Sequence, residues 1–140
     1  MRIERKYPVE DKHIDLQGIV DGLFYPFYME YCRHDYIKEV LGFDLAYEAS
    51  QGVNIVLTQY VIRFKRSLKK GDVITVTCEA HPDAEGQPVF HLVQEIRREG
   101  KLVTEGIFSA TFVSAFGGKS YLPDEIISRL AASSPLTAPK

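Results

Sequence analysis

The sequence predicts an α+β fold in which one long helix packs against an antiparallel sheet. Between Leu23 and Leu41 the apolar residues fall mostly three and four positions apart, which is the period of a helix. From Val53 to Ser114 four runs of residues alternate instead with the two-residue period of strands. Short connections that contain glycine separate the later runs, so neighbouring strands are expected to be antiparallel.

An edge strand and then the helix are predicted in the first third of the chain. The stretch from Ile3 to Asp11 places apolar residues among charges, and Pro8 within it is compatible with an edge strand. Pro26 falls in the first turn of the helix, where its missing N–H does no harm. Gly42 follows the last apolar position as a natural C-terminal cap.

The strand-like runs make up most of the second half of the chain. They are Val53 to Phe64, Asp72 to Ala80, Pro88 to Arg98 and Leu102 to Ser114. The turns between them are Lys69 to Asp72, Asp83 to Gly86 and Glu99 to Lys101. Turns this short predict a meander. The helix is apolar around most of its first half, so the sheet must wrap it or a partner subunit must cover the rest. A short terminal helix is predicted at Leu122 to Ile127.

Composition indicates one ordinary globular domain. The chain has 140 residues, of which 45% are hydrophobic and 26% charged, and its formal net charge is -2. This balance does not favour nucleic acid or an anionic membrane as a partner. We predict one domain over residues 1–132 and a disordered C-terminal tail over residues 133–140.

Other classes of protein are disfavoured by the cysteines, the histidines and the hydropathy. Cys32 and Cys78 have no C-x-x-C spacing and the N-terminus is charged from its start, so a reducing cytoplasm is the predicted location. No apolar run approaches the roughly 18 to 20 residues of a membrane-spanning helix, so no membrane span is expected. The four histidines show no ligand spacing, so no metal site is expected.

The segment from Asp15 to Gly22 is the strongest functional candidate. It is a short acidic loop with two glycines that runs directly into the predicted helix. The first turn of a helix offers unpaired N–H groups and a partial positive charge, which stabilise a developing oxyanion. A nearby carboxylate can supply a base or a nucleophile. From the residues alone, however, Asp15 is more often a turn former and Asp21 a helix cap.

A set of residues spread over the chain resembles a known family. The matching residues are Asp15, Gly18, Ile19, Val20, Tyr25, Glu30 and Arg33, followed by a strand near Gly52 and the turn from Lys70 to Val73. This pattern resembles the hotdog-fold thioesterases of the 4-hydroxybenzoyl-CoA type, and the match covers about Ile3 to Ile127. The resemblance implies a long central helix wrapped by a curved antiparallel sheet. It also implies homodimers that pair their sheets edge to edge, commonly homotetramers, with active sites at the subunit interface.

The resemblance also implies a reaction and the residues that perform it. The expected reaction is hydrolysis of an acyl-CoA to a carboxylic acid and free coenzyme A, with no metal and no cofactor other than the coenzyme A of the substrate. The carboxylate matching Asp15 attacks the thioester carbon or activates water. The backbone N–H at the helix start, which maps onto Gly22, polarises the carbonyl. Val20, Asp21 and Tyr25 lie where such enzymes contact the substrate.

Two further acid–base candidates each have a structural alternative. Glu30 and Arg33 lie three apart on the helix and form an ordinary ion pair in the simpler interpretation, whereas another branch of hotdog thioesterases uses a helix glutamate in catalysis. His13 stands two residues before Asp15 and could orient or tune it, although a solvated histidine at a strand end is the simpler interpretation.

A basic cluster is the candidate site for the coenzyme A phosphates. Its members are Arg63, Lys65, Arg66, Lys69 and Lys70, with no acidic residue from Val53 to Gly71. Basic side chains suit phosphate binding, and Arg63 and Lys65 share one face of their strand. The alternative is an edge strand that charge protects from aggregation.

Departures from the family pattern bear on the substrate. His13 replaces a second acidic residue, Phe24 replaces an asparagine and Asp21 replaces an aromatic residue that many members have at these positions. The change to Phe24 adds apolar wall, so an aliphatic or aryl acyl group is expected over a small polar one. Two other functions stay open: an acyl carrier protein thioesterase, and a non-catalytic module that binds acyl-CoA.

Overall fold

The computed structural model describes residues 1–139, which form a five-stranded antiparallel sheet and three α-helices. The strands are β1 (Ile3–Pro8), β2 (Val53–Phe64), β3 (Val73–Pro82), β4 (Phe90–Arg98) and β5 (Lys101–Ser114). The helices are α1 (Tyr25–Glu39), α2 (Leu45–Ser50) and α3 (Asp124–Leu130), with single 3₁₀ turns at Asp11–His13 and Gly22–Phe24. The predicted helix, strands and terminal helix are therefore confirmed, whereas α2 was not predicted.

The strand order is β1-β3-β4-β5-β2, which confirms one part of the predicted meander and corrects another. Strands β3, β4 and β5 are antiparallel neighbours, but β2 pairs with β5 and not with β3. The reason lies in the segment 65–72, which crosses from one edge of the sheet towards the other. The Val20 N–H donates to the Leu68 carbonyl at 2.8 Å, and Ile19 forms a β-bridge with Lys69. This crossover segment therefore runs beside the Asp15 loop.

Helix α1 begins at Tyr25, two residues later than the start predicted at Leu23. Asp21 caps a preceding 3₁₀ turn because its carboxylate accepts the Leu23 N–H at 2.9 Å. Pro26 lies in the first turn as predicted. After the helix, Gly42 has a φ of 68°, a left-handed conformation that glycine adopts without a steric penalty.

The core lies between α1 and the inner face of the sheet. Tyr28, Met29 and Cys32 of the helix have no exposed surface. The Tyr36 hydroxyl accepts the Ala80 N–H of β3 at 3.0 Å, and the buried Gln94 of β4 donates to the Met29 carbonyl at 2.8 Å. Buried polar groups are costly unless they are hydrogen-bonded, so these contacts fix the helix in one position against the sheet.

The residues after α3 lie against the β3–β4 turn. The Leu136 N–H donates to the Pro82 carbonyl at 2.9 Å, and the Ala84 N–H donates to the Leu136 carbonyl at 2.8 Å. The disorder expected for residues 133–140 and the domain boundary at residue 132 stay predictions, and residue 140 lies outside the described residues. Across residues 1–139, the longest helix is too short and too polar to span a bilayer.

Candidate active site

The Asp15 loop, defined as residues 13–22, is a tight hairpin that leads into α1. The Asp15 N–H donates to the Ile19 carbonyl at 2.8 Å, and the Asp21 N–H donates to the His13 carbonyl at 3.0 Å. Gly18 forms the tip with a φ of 82°, which favours glycine. The two arms therefore hold Asp15 near the tip and place Gly22 at the point where the loop enters the helix.

The Asp15 carboxylate is held in place but is not neutralised. One carboxylate oxygen accepts the Gln17 N–H at 2.7 Å, and the other accepts the Gln17 side-chain amide at 3.4 Å. No lysine, arginine or histidine among residues 1–139 forms a salt bridge with it. The side chain is only partly buried, so its remaining lone pairs are available to a substrate or to water.

The Gly22 N–H begins the 3₁₀ turn and has no acceptor within the described part of the chain. The next two N–H groups, those of Leu23 and Phe24, are both taken by Asp21, through its side chain and its carbonyl. Gly22 is exposed, and a Cβ placed on it would lie 4.0 Å from the Phe64 ring. The structure thus presents a free donor at the start of the helical segment, as an oxyanion site requires.

His13 is buried, so the interpretation as a solvated histidine is wrong. Its side chain is 3% exposed, and its Nδ1 atom lies 2.7 Å from the Tyr28 hydroxyl. The imidazole stacks on the Phe24 ring with 4.2 Å between centroids and an interplanar angle of 11°. The burial follows from the 3₁₀ turn, which brings Phe24 back over the first arm of the loop.

Val20 of the loop and Tyr25 at the start of α1 have buried side chains and are not exposed at the surface of the site. The Tyr25 hydroxyl accepts the Leu68 N–H at 3.0 Å. Burial raises the pKa of Tyr25, while the hydrogen bond from Leu68 opposes that rise. The Tyr25 ring also packs edge to face on Phe64 at 5.1 Å. These contacts attach the Asp15 loop to the crossover segment and to the end of β2.

Glu30 and Arg33 lie further along α1, and no described contact joins Glu30 to Asp15 or Gly22. Arg33 is 5% exposed, donates to the Gln94 side chain at 3.1 Å and lies 4.4 Å over the Phe108 ring. Burial lowers the pKa of the Arg33 guanidinium, which the nearby Glu30 partly offsets. Glu30 is exposed, and its carboxylate is 3.8 Å from Arg33, beyond hydrogen-bond distance.

The basic cluster lies on the end of β2 and on the crossover segment. Arg63, Lys65, Arg66, Lys69 and Lys70 are all exposed. Lys65 approaches Glu105 only loosely, at 3.8 Å, and Lys70 approaches Asp11 at the same distance. Because Lys69 forms a bridge with Ile19, the structure places part of this cluster beside the Asp15 loop.

A salt bridge fixes the crossover segment itself. Arg98 donates to the Asp72 carboxylate at 2.7 Å and to the Ser67 carbonyl at 2.9 Å. Burial alone would raise the pKa of Asp72, but hydrogen bonds from the Lys69 N–H and from Arg98 outweigh it and lower that pKa. Arg98 therefore holds the crossover segment at Ser67 and at Asp72, on either side of Lys69 and Lys70.

The open edge of β2 lies next to this site. Within residues 1–139 β2 pairs only with β5, and its apolar residues Leu57, Tyr60 and Phe64 are 43%, 52% and 54% exposed. Five surface depressions of the chain are lined by residues other than Asp15 and Gly22. A groove of about 290 Å³ does lie close by, between His13, Phe24, Phe27 and Tyr31.

A family model for the thioesterase-like superfamily matches residues 9–130. The chain belongs to the thioesterase-like superfamily. The hotdog fold is thereby confirmed, and membership supports the expected enzyme class, a thioester hydrolase. A comparison with curated protein sequences gives no match.

Several solved structures share this fold at low sequence identity. A DHNA-CoA thioesterase from Staphylococcus aureus is 23% identical with a TM-score of 0.80, covering 94% of this chain and 91% of its own. A gentisyl-coenzyme A thioesterase is 17% identical with a TM-score of 0.79, covering 91% and 99%. A second Staphylococcus aureus protein, solved in complex with CoA, is 16% identical with a TM-score of 0.81, covering 100% and 90%.

Structure and sequence agree on the site only in part. Asp15, Asp21 and Gly22 are brought together in one hairpin, with part of the basic cluster, at Lys69, beside it. Glu30 stands apart on α1. The contacts that hold the loop, those of Tyr28 and Leu68, had no signal in the sequence because they join positions distant along the chain.

Proposed function

We propose that this superfamily member hydrolyses acyl-CoA thioesters at the Asp15 loop. One observation carries the proposal: an unneutralised carboxylate and an N–H without a protein acceptor lie on the two arms of one hairpin at a helix entrance. Acyl transfer needs these two groups, one to deliver a nucleophile and one to stabilise the oxyanion. As a turn former alone, Asp15 would accept the Gln17 N–H, as it does here, and the exposed Gly22 N–H would bind water.

The reaction follows from these two groups. The thioester oxygen accepts a hydrogen bond from the Gly22 N–H, which stabilises the negative charge that develops there. Asp15 either attacks the carbonyl carbon or removes a proton from the attacking water. The carbon–sulfur bond then breaks, coenzyme A leaves as its thiolate and takes up a proton, and the acyl group leaves as a carboxylate once water has added.

Coenzyme A is the favoured carrier because of the basic cluster. Its phosphates need cationic side chains, and Arg66 and Lys69 lie on the crossover segment beside the loop. The relative solved with CoA supports the same carrier. Arg66→Ala is expected to raise KM for acyl-CoA by about three- to tenfold with little change in kcat, since an exposed charge contributes roughly 1 kcal/mol.

The control for this prediction is Lys119→Ala, which removes an exposed charge outside the cluster. Its KM should match that of the unmodified protein. The Arg66 effect should also shrink as salt is raised, because exposed charges are screened. An unchanged KM in Arg66→Ala at low salt would assign the cluster to edge protection instead.

An aryl or aliphatic acyl group is the proposed substrate. Phe24 stands at the helix entrance, stacked on His13 and packed edge to face on Phe27 at 5.1 Å. This arrangement offers an apolar wall where a small polar acyl group would gain little. Two of the structural relatives act on aryl-CoAs by their descriptions, gentisyl-CoA and DHNA-CoA.

A homodimer that pairs β2 with the β2 of a second copy is proposed as the working form, with a homotetramer as a further stage. A long apolar edge strand is normally covered, and pairing would bury Leu57 further along the strand as well as Phe64, whose ring is 4.0 Å from a Cβ placed on Gly22. Val56→Lys is expected to produce a monomer in light scattering and to abolish most activity, because the substrate site would lose one wall. Ile127→Lys, an exposed apolar position on α3, should leave both properties unchanged.

Comparison of carriers separates the proposal from its alternatives. One aryl group is presented to the protein as its CoA thioester and as its acyl carrier protein thioester, and free thiol and carboxylic acid are both quantified. Equal amounts of acid and coenzyme A from the CoA thioester are expected. Thiol release only from the acyl carrier protein thioester would indicate an acyl carrier protein thioesterase. Thermal stabilisation by acyl-CoA without thiol release would indicate a binding module.

A further inference from the structure

We propose that His13 is a positioning residue that sets the distance between the Asp15 carboxylate and the Gly22 N–H. It contacts the helix entrance at three successive points. Its carbonyl accepts the Asp21 N–H at 3.0 Å, its ring stacks on Phe24 at 4.2 Å, and its Nδ1 is 2.7 Å from the Tyr28 hydroxyl. The catalytic half of this inference rests on the proposed thioesterase function.

One hydrogen bond of the ring joins it to the core. The Nδ1 atom of His13 lies 2.7 Å from the Tyr28 hydroxyl, which also accepts the Glu10 N–H at 3.0 Å. Since Tyr28 is completely buried in α1, this bond attaches the first arm of the loop to a fixed point of the core.

The other two contacts reach the opposite arm. Asp21, held by the His13 carbonyl, is the cap of the 3₁₀ turn that Gly22 begins. Phe24, which stacks on the imidazole, is the last residue of that turn. His13 therefore fixes both ends of the turn while standing only two residues before Asp15. A shift of the ring would move the carboxylate relative to the N–H.

Kinetics of His13 variants test the catalytic part. His13→Ala is expected to lower kcat by about ten- to a hundredfold with KM changed far less, because misplacement of a catalytic group by about 1 Å has effects of this size. His13→Asn restores a hydrogen-bonding group near the Nδ1 position and should recover part of the lost kcat. Adding Tyr28→Phe should remove that recovery, because the partner hydroxyl is gone.

His91→Ala is the matched control. His91 is also a buried histidine with two side-chain contacts at 2.8 Å, to Ser109 and to Asp83. Its partner Ser109 lies five positions along β5 from Thr104, the residue paired with Phe64, which is about 17 Å by strand geometry. His91→Ala should lower Tm with kcat unchanged. If His13→Ala loses no more kcat than His91→Ala, the inference is overturned.

Amide hydrogen exchange tests positioning without any substrate. In His13→Ala the Asp15 and Asp21 amides should exchange at least about tenfold faster, while the core Ala80 amide changes less, because the opening is local. Equal acceleration of all three would mean loss of global stability only and would overturn the inference. If the unmodified protein hydrolyses no thioester, the proposed function fails, and exchange alone then decides whether His13 holds the loop.

Discussion

Asp15→Asn is expected to lower kcat for thioester hydrolysis by about 10²-fold or more, the size typical of losing a general base. Asparagine keeps the side-chain oxygen that accepts the Gln17 N–H, so the loop should keep its shape. The amide has neither the negative charge nor the basicity that either catalytic route requires. Steady-state thiol release and Tm, measured on the same preparations, check this result.

The control for this substitution is Asp11→Asn. Asp11 is an exposed acid just before the loop and approaches only Lys70, at 3.8 Å. The kcat of Asp11→Asn should match that of the unmodified protein. If Asp15→Asn retains activity, the carboxylate is not the base or nucleophile, and Glu30 becomes the next residue to test by Glu30→Gln.

Gly22→Pro should lower kcat by about 10²- to 10³-fold, as loss of one oxyanion donor does. The substitution deletes the one N–H of the turn that has no acceptor within residues 1–139 and leaves every described hydrogen bond in place. Proline suits the first position of a helical turn, and Asp21 before it has the extended conformation that proline favours, with a ψ of 137°. Tm should therefore stay level or rise slightly.

Gly22→Ala separates the donor from the side chain. Alanine keeps the N–H, and its Cβ would lie 4.0 Å from the Phe64 ring, an ordinary contact. It should retain most of the activity. Equal losses in the proline and alanine variants would point to crowding. Full activity in Gly22→Pro would move the oxyanion donor to another N–H, such as one at the start of α1.

The elements of the fold could be predicted from local patterns, but their order in the sheet could not. A two-residue period identifies β2 without saying which strand it joins. The turn at Lys69 to Asp72 is short, yet it belongs to a crossover because Leu68 is bound by Val20 and Tyr25. Those contacts join positions more than 40 residues apart and leave no mark on the local sequence.

In the site, the reacting groups could be predicted from the sequence, but the packing around them could not. Asp15 and Gly22 could be chosen because a carboxylate and a free helix-start N–H suit one reaction. The burial of His13 could not, because it depends on a 3₁₀ turn that folds Phe24 over the ring. α2 was missed because a helix of six residues is too short to show a helical period. Its one described side-chain cap is Asp44, which accepts the Tyr47 N–H at 3.0 Å.

Thiol release from a panel of acyl-CoAs by the unmodified protein shows directly whether it hydrolyses acyl-CoA thioesters. The panel runs from short to long aliphatic chains and includes aryl groups. At least one aryl or longer aliphatic thioester should be hydrolysed with a kcat/KM of about 10⁴ M⁻¹s⁻¹ or more, the ordinary range for an enzyme on its own substrate. Thiol release no faster than in buffer for every member, with the protein still folded, would mean that the protein is not an acyl-CoA thioesterase.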